Sequence, residues 1–462
     1  MFVGRVKELN KLNEFWKAEK FQCVVIYGRR RVGKTVLINE FIKNKPSIFF
    51  AGLETGSAEN LKNLSRAIFE FNKGDNIGDT PIYPDYSSAF DAVFRMAEKE
   101  KLILVIDEYP YLEKSHKGVS SIIQNLIDKY RETSKLYLIL CGSSMSFMEN
   151  HVLGYKSPLY GRRTAQFKIM PFNFFETAEY FKKFNAFNLM AIYGITGGIP
   201  HYLEKMDENI SVEENIINSF FDPSSFLFEE PLNLLKQEVR ESGLYNSIIS
   251  AIAAGSTKSV EISSKVRIDS SVFATYAANL ISLGIIKKET PITEDTSRKT
   301  IYTVDDGMFR FWHRFIPDNL AAISRGMGEQ AFRRIAPQIP AFLGKTFENV
   351  CSQYLWELNK KGETPFLFSK LGRWWGNNPV KKEEAEIDII AFADNKHAIF
   401  AECKWTNEAI GENVLQTLID RSHILDFEDR YYYVFAKNGF TSSIRNKSNV
   451  KLVTLIDMYK SF

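Results

Sequence analysis

The chain has few cysteines and histidines and no long apolar run, and each shortage excludes a class of protein. Its 462 residues include four cysteines and six histidines. The cysteines lie far apart and form no Cys-x-x-Cys pair, which argues against a disulfide framework or a structural zinc site and favours a reducing compartment. No segment approaches the roughly 20 apolar residues of a membrane span, and the opening MFVGRVKELNKL is too charged for a signal peptide. We therefore expect a cytoplasmic protein with no membrane partner.

The sequence also lacks an excess of charge of either sign. Lysine and arginine total 59 and aspartate and glutamate total 56, for a formal net charge of +3. This balance gives no overall electrostatic footprint for nucleic acid, although local basic patches remain open. With 45% hydrophobic and 25% charged residues the composition is that of a globular protein, and the length predicts two to four domains.

The strongest local motif is GRRRVGKT at residues 28–35, between an apolar strand and an amphipathic helix. It fits the Gly-x-x-x-x-Gly-Lys-Thr spacing of a phosphate-binding loop. Gly28 and Gly33 let backbone N–H groups surround the phosphates, while Lys34 reaches the β- and γ-phosphates and Thr35 ligates Mg²⁺. The motif predicts an ATP site.

An acidic pair follows a second apolar strand, in KLILVIDEYPYL. Asp107 would hold Mg²⁺ through its water shell, and Glu108 would polarise the attacking water. An Asp-Glu pair after an apolar strand is common, and on its own it could equally be a helix cap. Its occurrence with a phosphate-binding loop favours the catalytic interpretation.

Two further segments carry candidates for the same site. The strand KLYLILCGSS ends at Ser143 and Ser144, which fit either a polar sensor beside the γ-phosphate or a plain turn. In PLYGRRTAQF, Arg162 or Arg163 could stabilise transition-state charge, in cis or on a neighbouring copy of the chain. The alternative is a solvated surface pair.

Several segments together resemble one family. FVGRVKELNKL, YGRRRVGKT, VIDEYPYL, CGSS, PLYGR and TGGIPHYL follow in order the pattern of the archaeal-type ATPases, a STAND-related branch of AAA-like P-loop NTPases. The resemblance covers about the first half of the chain and implies an α/β fold with a parallel sheet, and ATP and Mg²⁺ as cofactors. It also implies that Gly4 and Arg5 lie near the adenine and that Gly198, Ile199 and Pro200 contact the nucleotide from a lid; a Gly-Pro turn is the alternative for the last segment.

The middle of the chain predicts a helical lid and a winged helix. PFNFFETAEYFKKF has Phe at helical spacing, which is typical of a core stripe. Three predicted helices and two short strands follow, with Lys287, Lys288, Arg298 and Lys299 in the wing. The candidate recognition helix has no basic residue, so a protein partner is favoured over DNA sequence readout. His313 is expected to be structural.

The last domain contains the hairpin AEIDIIAFADNKHAIFAECKW. Asp388, followed by Glu402-Cys403-Lys404, resembles the D…ExK signature of the PD-(D/E)XK nuclease fold, a restriction-endonuclease-like α/β fold. The resemblance implies that Asp388, Glu402 and the Cys403 carbonyl hold Mg²⁺, that Lys404 orients the water, and that Glu348 is an auxiliary acid. GRWWG, EIDII and ECKW also resemble the domain of unassigned function that ends many archaeal-type ATPases.

Some residues of this domain keep more than one interpretation. The pattern does not place the extra acid Glu386. Trp374 and Trp375 could stack on bases or fill the core. The domain boundaries that we predict are residues 1–170 for the ATPase core, 171–232 for the lid, 233–316 for the winged helix and 330–462 for the nuclease-like domain.

Two hypotheses for the function follow. In the first, the nucleotide state of an ATPase controls a fused Mg²⁺-dependent DNA nuclease. In the second, the protein is a STAND-like switch or scaffold whose C-terminal domain has lost its chemistry and binds DNA or protein. A second copy of the chain is a candidate partner in either case, because an arginine could act across subunits.

Overall fold

A computed structural model describes residues 2–73, 81–294, 299–379, 381–444 and 449–461. The chain divides into two compact units, residues 1–171 and 172–462. The boundary lies one residue beyond the predicted end of the ATPase core. Arg298, predicted in the basic wing, is outside the described residues.

The first unit is a parallel sheet flanked by helices, as the sequence predicts. Its strands are β1 (Gln22–Tyr27), β2 (Ser47–Ala51), β3 (Leu102–Asp107), β4 (Leu136–Gly142) and β5 (Ala165–Lys168). Its helices are α1 (Val6–Lys17), α2 (Lys34–Ile42), α3 (Ser57–Lys73), α4 (Tyr86–Lys99), α5 (Tyr109–Ser115), α6 (Val119–Tyr130) and α7 (Met145–Phe147), the last continued by a π-helical turn (Met148–Val152). The described strands pair in the order β2-β3-β4-β1-β5, all parallel.

The position of this sheet explains its apolar sequence. Every residue of β1, β3 and β4 is buried. Helices α1 and α2 pack on one face, and α3, α4 and α6 pack on the other. A parallel sheet covered on both faces requires continuous apolar strands, and its strands all end at one edge. The phosphate-binding loop, the acidic pair and Ser143 follow β1, β3 and β4, so they meet at that edge.

In its described residues, the second unit combines many helices with two sheets. Its helices are α8 (Phe174–Tyr180), α9 (Ala186–Thr196), α10 (Pro200–Leu203), α11 (Val212–Phe220), α12 (Phe226–Glu238), α13 (Ser242–Ala253), α14 (Ser259–Val266), α15 (Ser270–Ser282), α16 (Gly307–Phe315), α17 (Leu320–Ile323), α18 (Gly328–Ile335), α19 (Ile339–Lys361), α20 (Glu412–Ser422) and α21 (Leu455–Lys460). Its strands are β6 (Ile286–Glu289), β7 (Ile301–Val304), β8 (Lys370–Asn378), β9 (Glu383–Phe392), β10 (His397–Lys404), β11 (Asp429–Ala436) and β12 (Val450–Thr454), and short 3-10 turns cover Pro317–Asn319, Ala336–Gln338 and Ser442–Ile444.

The second unit contains the buried Phe-rich stripe and the three helices with two short strands that the sequence predicts. The Phe-rich stripe is core, because Phe172, Phe174, Phe175, Phe181 and Phe184 are all buried. Helices α13, α14 and α15 are followed by the antiparallel pair β6–β7. Across the described residues, no helix is long and apolar enough to cross a membrane.

The larger sheet of this unit carries the acidic hairpin. Its described strands pair in the order β12-β11-β10-β9-β8. Strand β9 is antiparallel to both β8 and β10, whereas β10, β11 and β12 are parallel. Helix α19 packs on one face through Phe347 and Val350, and α20 packs on the other through Leu415 and Leu418. The hairpin is therefore central in the sheet and covered on both faces.

His313 on α16 is buried, with 7% of its surface exposed, and its Nδ1 lies 2.9 Å from Ser250 Oγ. Burial lowers the pKa of His313 to about 3, below the roughly 6.5 of an unfolded chain. Between these two pKa values the unfolded chain binds a proton on this residue and the folded chain does not. The free energy of unfolding is therefore full above about pH 6.5 and falls as the pH drops toward the folded pKa.

We predict that this histidine removes about 2 kcal/mol from the free energy of unfolding between about pH 7 and pH 5. Urea titrations of wild type, His313→Gln and the exposed control His423→Gln at both pH values measure the loss. The loss should shrink in His313→Gln alone. An equal loss in all chains would contradict the assignment.

Candidate functional site

The phosphate-binding loop adopts a backbone that needs its two glycines. Gly28 has φ +154°, and a Cβ built on it would lie 2.3 Å from the carbonyl oxygen of Ile169. Gly33, which precedes α2, has a left-handed φ of 88°. A side chain at Gly28 would collide with backbone, and one at Gly33 would be strained. The sequence spacing and the loop geometry agree.

Lys34 is buried inside this loop. Its Nζ donates to the carbonyl oxygens of Gly28 at 3.0 Å and Arg29 at 2.9 Å. Burial lowers the pKa of Lys34, while the nearby acids, including Glu108 and Asp107, oppose that shift. The ammonium therefore lies against the backbone of the loop, where the motif predicts phosphates.

Thr35 and Asp107 bring two oxygen groups together from different elements. Thr35 Oγ1, in the first turn of α2, donates to Asp107 Oδ2 at 2.9 Å. Asp107 ends β3, and its Oδ1 accepts the backbone N–H of Glu108 at 2.9 Å. Hydroxyl and carboxylate oxygens are the ligand types that Mg²⁺ prefers. The donor set fits the ion that the sequence predicts.

Glu108 and Ser143 are in contact, which the sequence did not predict. Ser143 Oγ donates to Glu108 Oε2 at 3.0 Å, and the Ser143 N–H approaches the same oxygen at 3.5 Å. Glu108 has a left-handed backbone, with φ 47°. Ser144 instead precedes α7 and makes no side-chain capping bond. The contact orients the Glu108 carboxylate, and it required knowledge that β3 and β4 are neighbours.

Arg5 anchors the loop from the N-terminal segment. It is buried, and its Nη2 donates to the carbonyl oxygens of Val32, at 3.3 Å, and Met170. Gly4 before it has a left-handed φ of 69°. The nearness of Arg5 to an adenine stays a prediction. So does the nucleotide contact of Pro200, which begins α10 of the second unit.

The two candidate arginines lie at the wrong edge of the sheet to act on their own chain's loop. Both precede the amino end of β5, which runs parallel to β1, whereas the loop follows the carboxyl end of β1. Arg162 makes a bidentate pair with Asp128, with Nε and Nη2 at 2.8 and 2.7 Å from its carboxylate oxygens. Arg163 Nη1 donates to the Leu153 carbonyl at 3.1 Å. These contacts hold both side chains away from the loop, so the geometry argues against a role in cis.

In the second unit, Asp388 and Glu402 lie on the neighbouring strands β9 and β10. Asp388 Oδ2 accepts the backbone N–H of Cys403 at 2.8 Å. Burial raises the pKa of Asp388 to about 7, and the charges of Glu402 and Glu348 add to the rise. Carboxylates that repel one another in a buried site favour a proton or another cation between them.

Glu402 is buried, and only one of its two carboxylate oxygens has polar partners. Its Oε1 accepts from Lys404 Nζ at 2.5 Å and lies 3.9 Å from Arg421 Nη1. Within the part of the chain that the structure describes, Glu402 Oε2 is buried with no hydrogen-bond partner. A buried carboxylate oxygen without a partner is costly, and a bound cation would remove that cost.

The other predicted acids have partners of their own. Glu348 pairs with Lys345 at 2.6 Å and lies 3.9 Å from Arg373 Nε. Glu386, which the pattern did not place, pairs with Arg373. Over the described ranges, no group of three His, Cys, Asp or Glu side chains is arranged to hold a metal ion. Glu348 is thus neutralised by cations and does not complete a three-carboxylate set with Asp388 and Glu402.

The adjacent tryptophans, which the sequence offers either as core residues or as residues that stack on bases, have different surroundings. Trp374 is 5% exposed in the core beneath α20, as a core-filling residue would be. Trp375 points to the other side of β8, is half-buried, and its Nε1 donates to the Lys299 carbonyl at 3.1 Å. Strand alternation separates two residues that the sequence could not tell apart.

Comparisons with known proteins agree with the first unit's geometry. Residues 2–206 match the model of an ATPase domain found predominantly in Archaea, and residues 312–415 match one of archaeal and bacterial proteins of unknown function. An uncharacterized protein of Methanocaldococcus jannaschii is 36% identical over 443 residues, which are 95% of this chain and 96% of the relative. An uncharacterized ATP-binding protein of the same organism is 51% identical over 45 residues, 10% of this chain and 76% of that protein.

A solved structure has the same fold over much of the chain. The Walker-type ATPase of Pyrococcus abyssi superposes with a TM-score of 0.51 at 20% identity, covering 68% of this chain and 96% of that one. The α/β fold with a parallel sheet is thereby confirmed. The match of residues 2–206 to the family model and the near full-length relative show that the chain belongs to the family of ATPases found predominantly in Archaea.

Proposed function

We propose that the first unit binds ATP with Mg²⁺ and hydrolyses it. The observation that carries this proposal is the contact of Thr35 with Asp107 at 2.9 Å, beside an ammonium already inside the loop. Thr35 and Asp107 would hold the ion, and Lys34 and the loop N–H groups would bind the phosphates. The ion would neutralise charge on the β- and γ-phosphates.

Glu108 is the proposed base for the attacking water, and Ser143 is its positioning residue. The Ser143 hydroxyl holds one carboxylate oxygen at 3.0 Å, which leaves the other for a water. Arg5 and Pro200 are proposed to lie beside the bound nucleotide. Since Arg162 and Arg163 are at the amino edge of the sheet, either could serve only the loop of a neighbouring copy.

Removing the Ser143 hydroxyl should lower turnover without weakening nucleotide binding. In Ser143→Ala, Glu108 loses an orienting hydrogen bond, and we expect the rate of ATP hydrolysis to fall about tenfold with little change in ATP affinity. Ser144→Ala is the matched control, since this neighbour makes no such contact. The assignment fails if both variants hydrolyse ATP at the wild-type rate.

For the second unit we propose a winged helix at residues 233–316 and a Mg²⁺-dependent nuclease-like site on β9 and β10, controlled by the nucleotide state. The partnerless oxygen of Glu402 and the neighbouring Asp388 support the ion site. Lys404 would orient the water from its position beside Glu402. The ion would stabilise charge that develops on the phosphate being cleaved.

A specific observation favours the second candidate, a STAND-like switch with an inactive nuclease fold. Lys404 is held in an ion pair with Glu402 at 2.5 Å, and Glu348 is paired with Lys345. Conversion of supercoiled plasmid to nicked circles with Mg²⁺ or Mn²⁺, in the presence of ATP, ADP or neither, distinguishes the candidates. Cutting that depends on nucleotide supports the nuclease, and no cutting under any condition supports the switch.

A further inference from the structure

The second unit contains a cavity of about 1270 Å³ that no part of the proposed chemistry uses. Its walls come from the end of α13 and the segment that leads to α14, from β7, α16, the first turns of α19 and the adjoining strands β8 and β9, and from Arg421 of α20. These segments are far apart in sequence, so no local motif indicated the cavity. Its volume exceeds the roughly 300–1,000 Å³ of sites for single small ligands.

The cavity is strongly basic in a chain that is nearly neutral overall. Among the described residues that line it, seven are Lys or Arg and two are Glu. Two of the cations, Lys258 and Arg314, are exposed, and their side-chain charges have no carboxylate partner within the described ranges. A concentration of cations of this kind attracts a polyanion.

A third cation of the cavity, Arg310, is held in an energetically unfavourable environment. Arg310 donates through Nη2 to Thr346 Oγ1, and its guanidinium carbon lies 4.3 Å from the centre of the Phe342 ring. Its Nε is buried with no hydrogen-bond partner in the part of the chain that the structure describes. Burial lowers the pKa of Arg310 to about 10. A phosphate oxygen would satisfy this donor and offset the desolvation of the charge.

Aromatic surface accompanies the charge. Trp375 lines the cavity, half-buried, with the Arg373 guanidinium carbon 5.8 Å from its ring centre. A groove that combines cations for the backbone with an aromatic face for a base is the arrangement that binds single-stranded nucleic acid. Double-stranded nucleic acid hides its bases from such a face.

We infer that this cavity binds a segment of single-stranded nucleic acid, with phosphates on Lys258, Arg310 and Arg314 and a base on Trp375. DNA and RNA strands share this chemistry. Arg373 and Arg421 line the same cavity, and Arg421 also lies 3.9 Å from Glu402, so the strand would end beside the acidic hairpin. The binding does not depend on whether that hairpin cuts.

Fluorescence anisotropy in EDTA tests the binding without any cleavage. The full chain is titrated against labelled dT and rU strands of about 12 nucleotides and against a duplex of the same length. The double variant Lys258→Glu/Arg314→Glu is compared with Lys236→Glu/Arg334→Glu, which makes the same charge change at exposed cations outside the cavity that also lack a carboxylate partner among the described residues.

The cavity variant should bind at least tenfold more weakly, and the slope of log affinity against log salt should fall by about two, while the control stays within about twofold of wild type. Binding of dT, rU or both supports the inference and shows whether the cavity binds DNA, RNA or both. Equal weakening in both variants, equal affinity for duplex, or a dinucleotide that binds as tightly as the longer strand would overturn it. An unchanged circular dichroism spectrum and an unchanged thermal unfolding midpoint in each variant establish that the chain is folded, and Arg314→Gln with Lys258→Gln repeats the test without charge reversal.

Discussion

Replacing Lys34 with alanine is expected to lower ATP turnover by about 100-fold or more. The side chain is buried within the phosphate-binding loop and donates to two of its carbonyl oxygens. Its loss removes the positive charge that would face the transferred phosphate and also removes one hydrogen bond to each of those carbonyls. Both nucleotide affinity and the rate of hydrolysis should therefore fall.

The control for this variant lies just beyond the other end of the same helix. Lys43 is exposed and directly follows α2, so Lys43→Ala makes the same chemical change away from the loop. Release of phosphate from ATP and the affinity for a fluorescent ATP analogue are measured for wild type and both variants. Equal loss in the two variants would mean that the effect comes from the helix and not from the loop.

The second large effect is expected in the acidic hairpin. If the nuclease candidate is right, Asp388→Asn and Lys404→Ala should each reduce plasmid nicking by about 100-fold or more, because several kcal/mol of transition-state stabilisation depend on the ion and its water. Asparagine keeps the shape of Asp388 and its contact with the Cys403 N–H. The charge alone is removed.

The exposed Asp426 provides the matched control, as Asp426→Asn removes an acid outside the hairpin. Nicking is followed on agarose gels with Mn²⁺ in excess. Nicking that persists at the wild-type rate in both Asp388→Asn and Lys404→Ala would contradict the proposed site. Lys404 is held in an ion pair by Glu402, as expected if the site is inactive. A wild-type chain that never cuts would therefore support the switch with an inactive nuclease fold.

The first unit was largely predictable because its signals are local. The apolar runs before GRRRVGKT, Asp107 and Ser143 are the strands β1, β3 and β4, and parallel strands covered on both faces leave little choice of sequence. That these three segments meet at one sheet edge follows once the strands are parallel. The contact of Ser143 with Glu108 does not follow, since it needs the strand order.

Arg162 illustrates where sequence reasoning fails. A pair of arginines near the end of a domain fits a catalytic role and a surface role equally well. Only the parallel pairing of β5 with β1 places the pair at the amino edge, and only the structure supplies Asp128 as its partner. A strand direction, and not a motif, argues against a role on the same chain.

In the second unit the hairpin was predictable and its surroundings were not. The period-two alternation in residues 385–405 gives β9 and β10 directly. The pairing of Glu386 with Arg373, the neutralisation of Glu348 by Lys345 and the basic cavity depend on how β8, α16 and α19 pack. The sequence offered Trp375 as a candidate for stacking on bases, but no motif placed it in a basic cavity.

The most direct test of the central claim, that the first unit hydrolyses ATP at the loop around Lys34, is phosphate release from ATP with Mg²⁺ by the wild-type chain and Lys34→Ala side by side. We predict continuous release by wild type and release at the background level by the variant. Equal release by the two chains, or none by wild type, would contradict the claim.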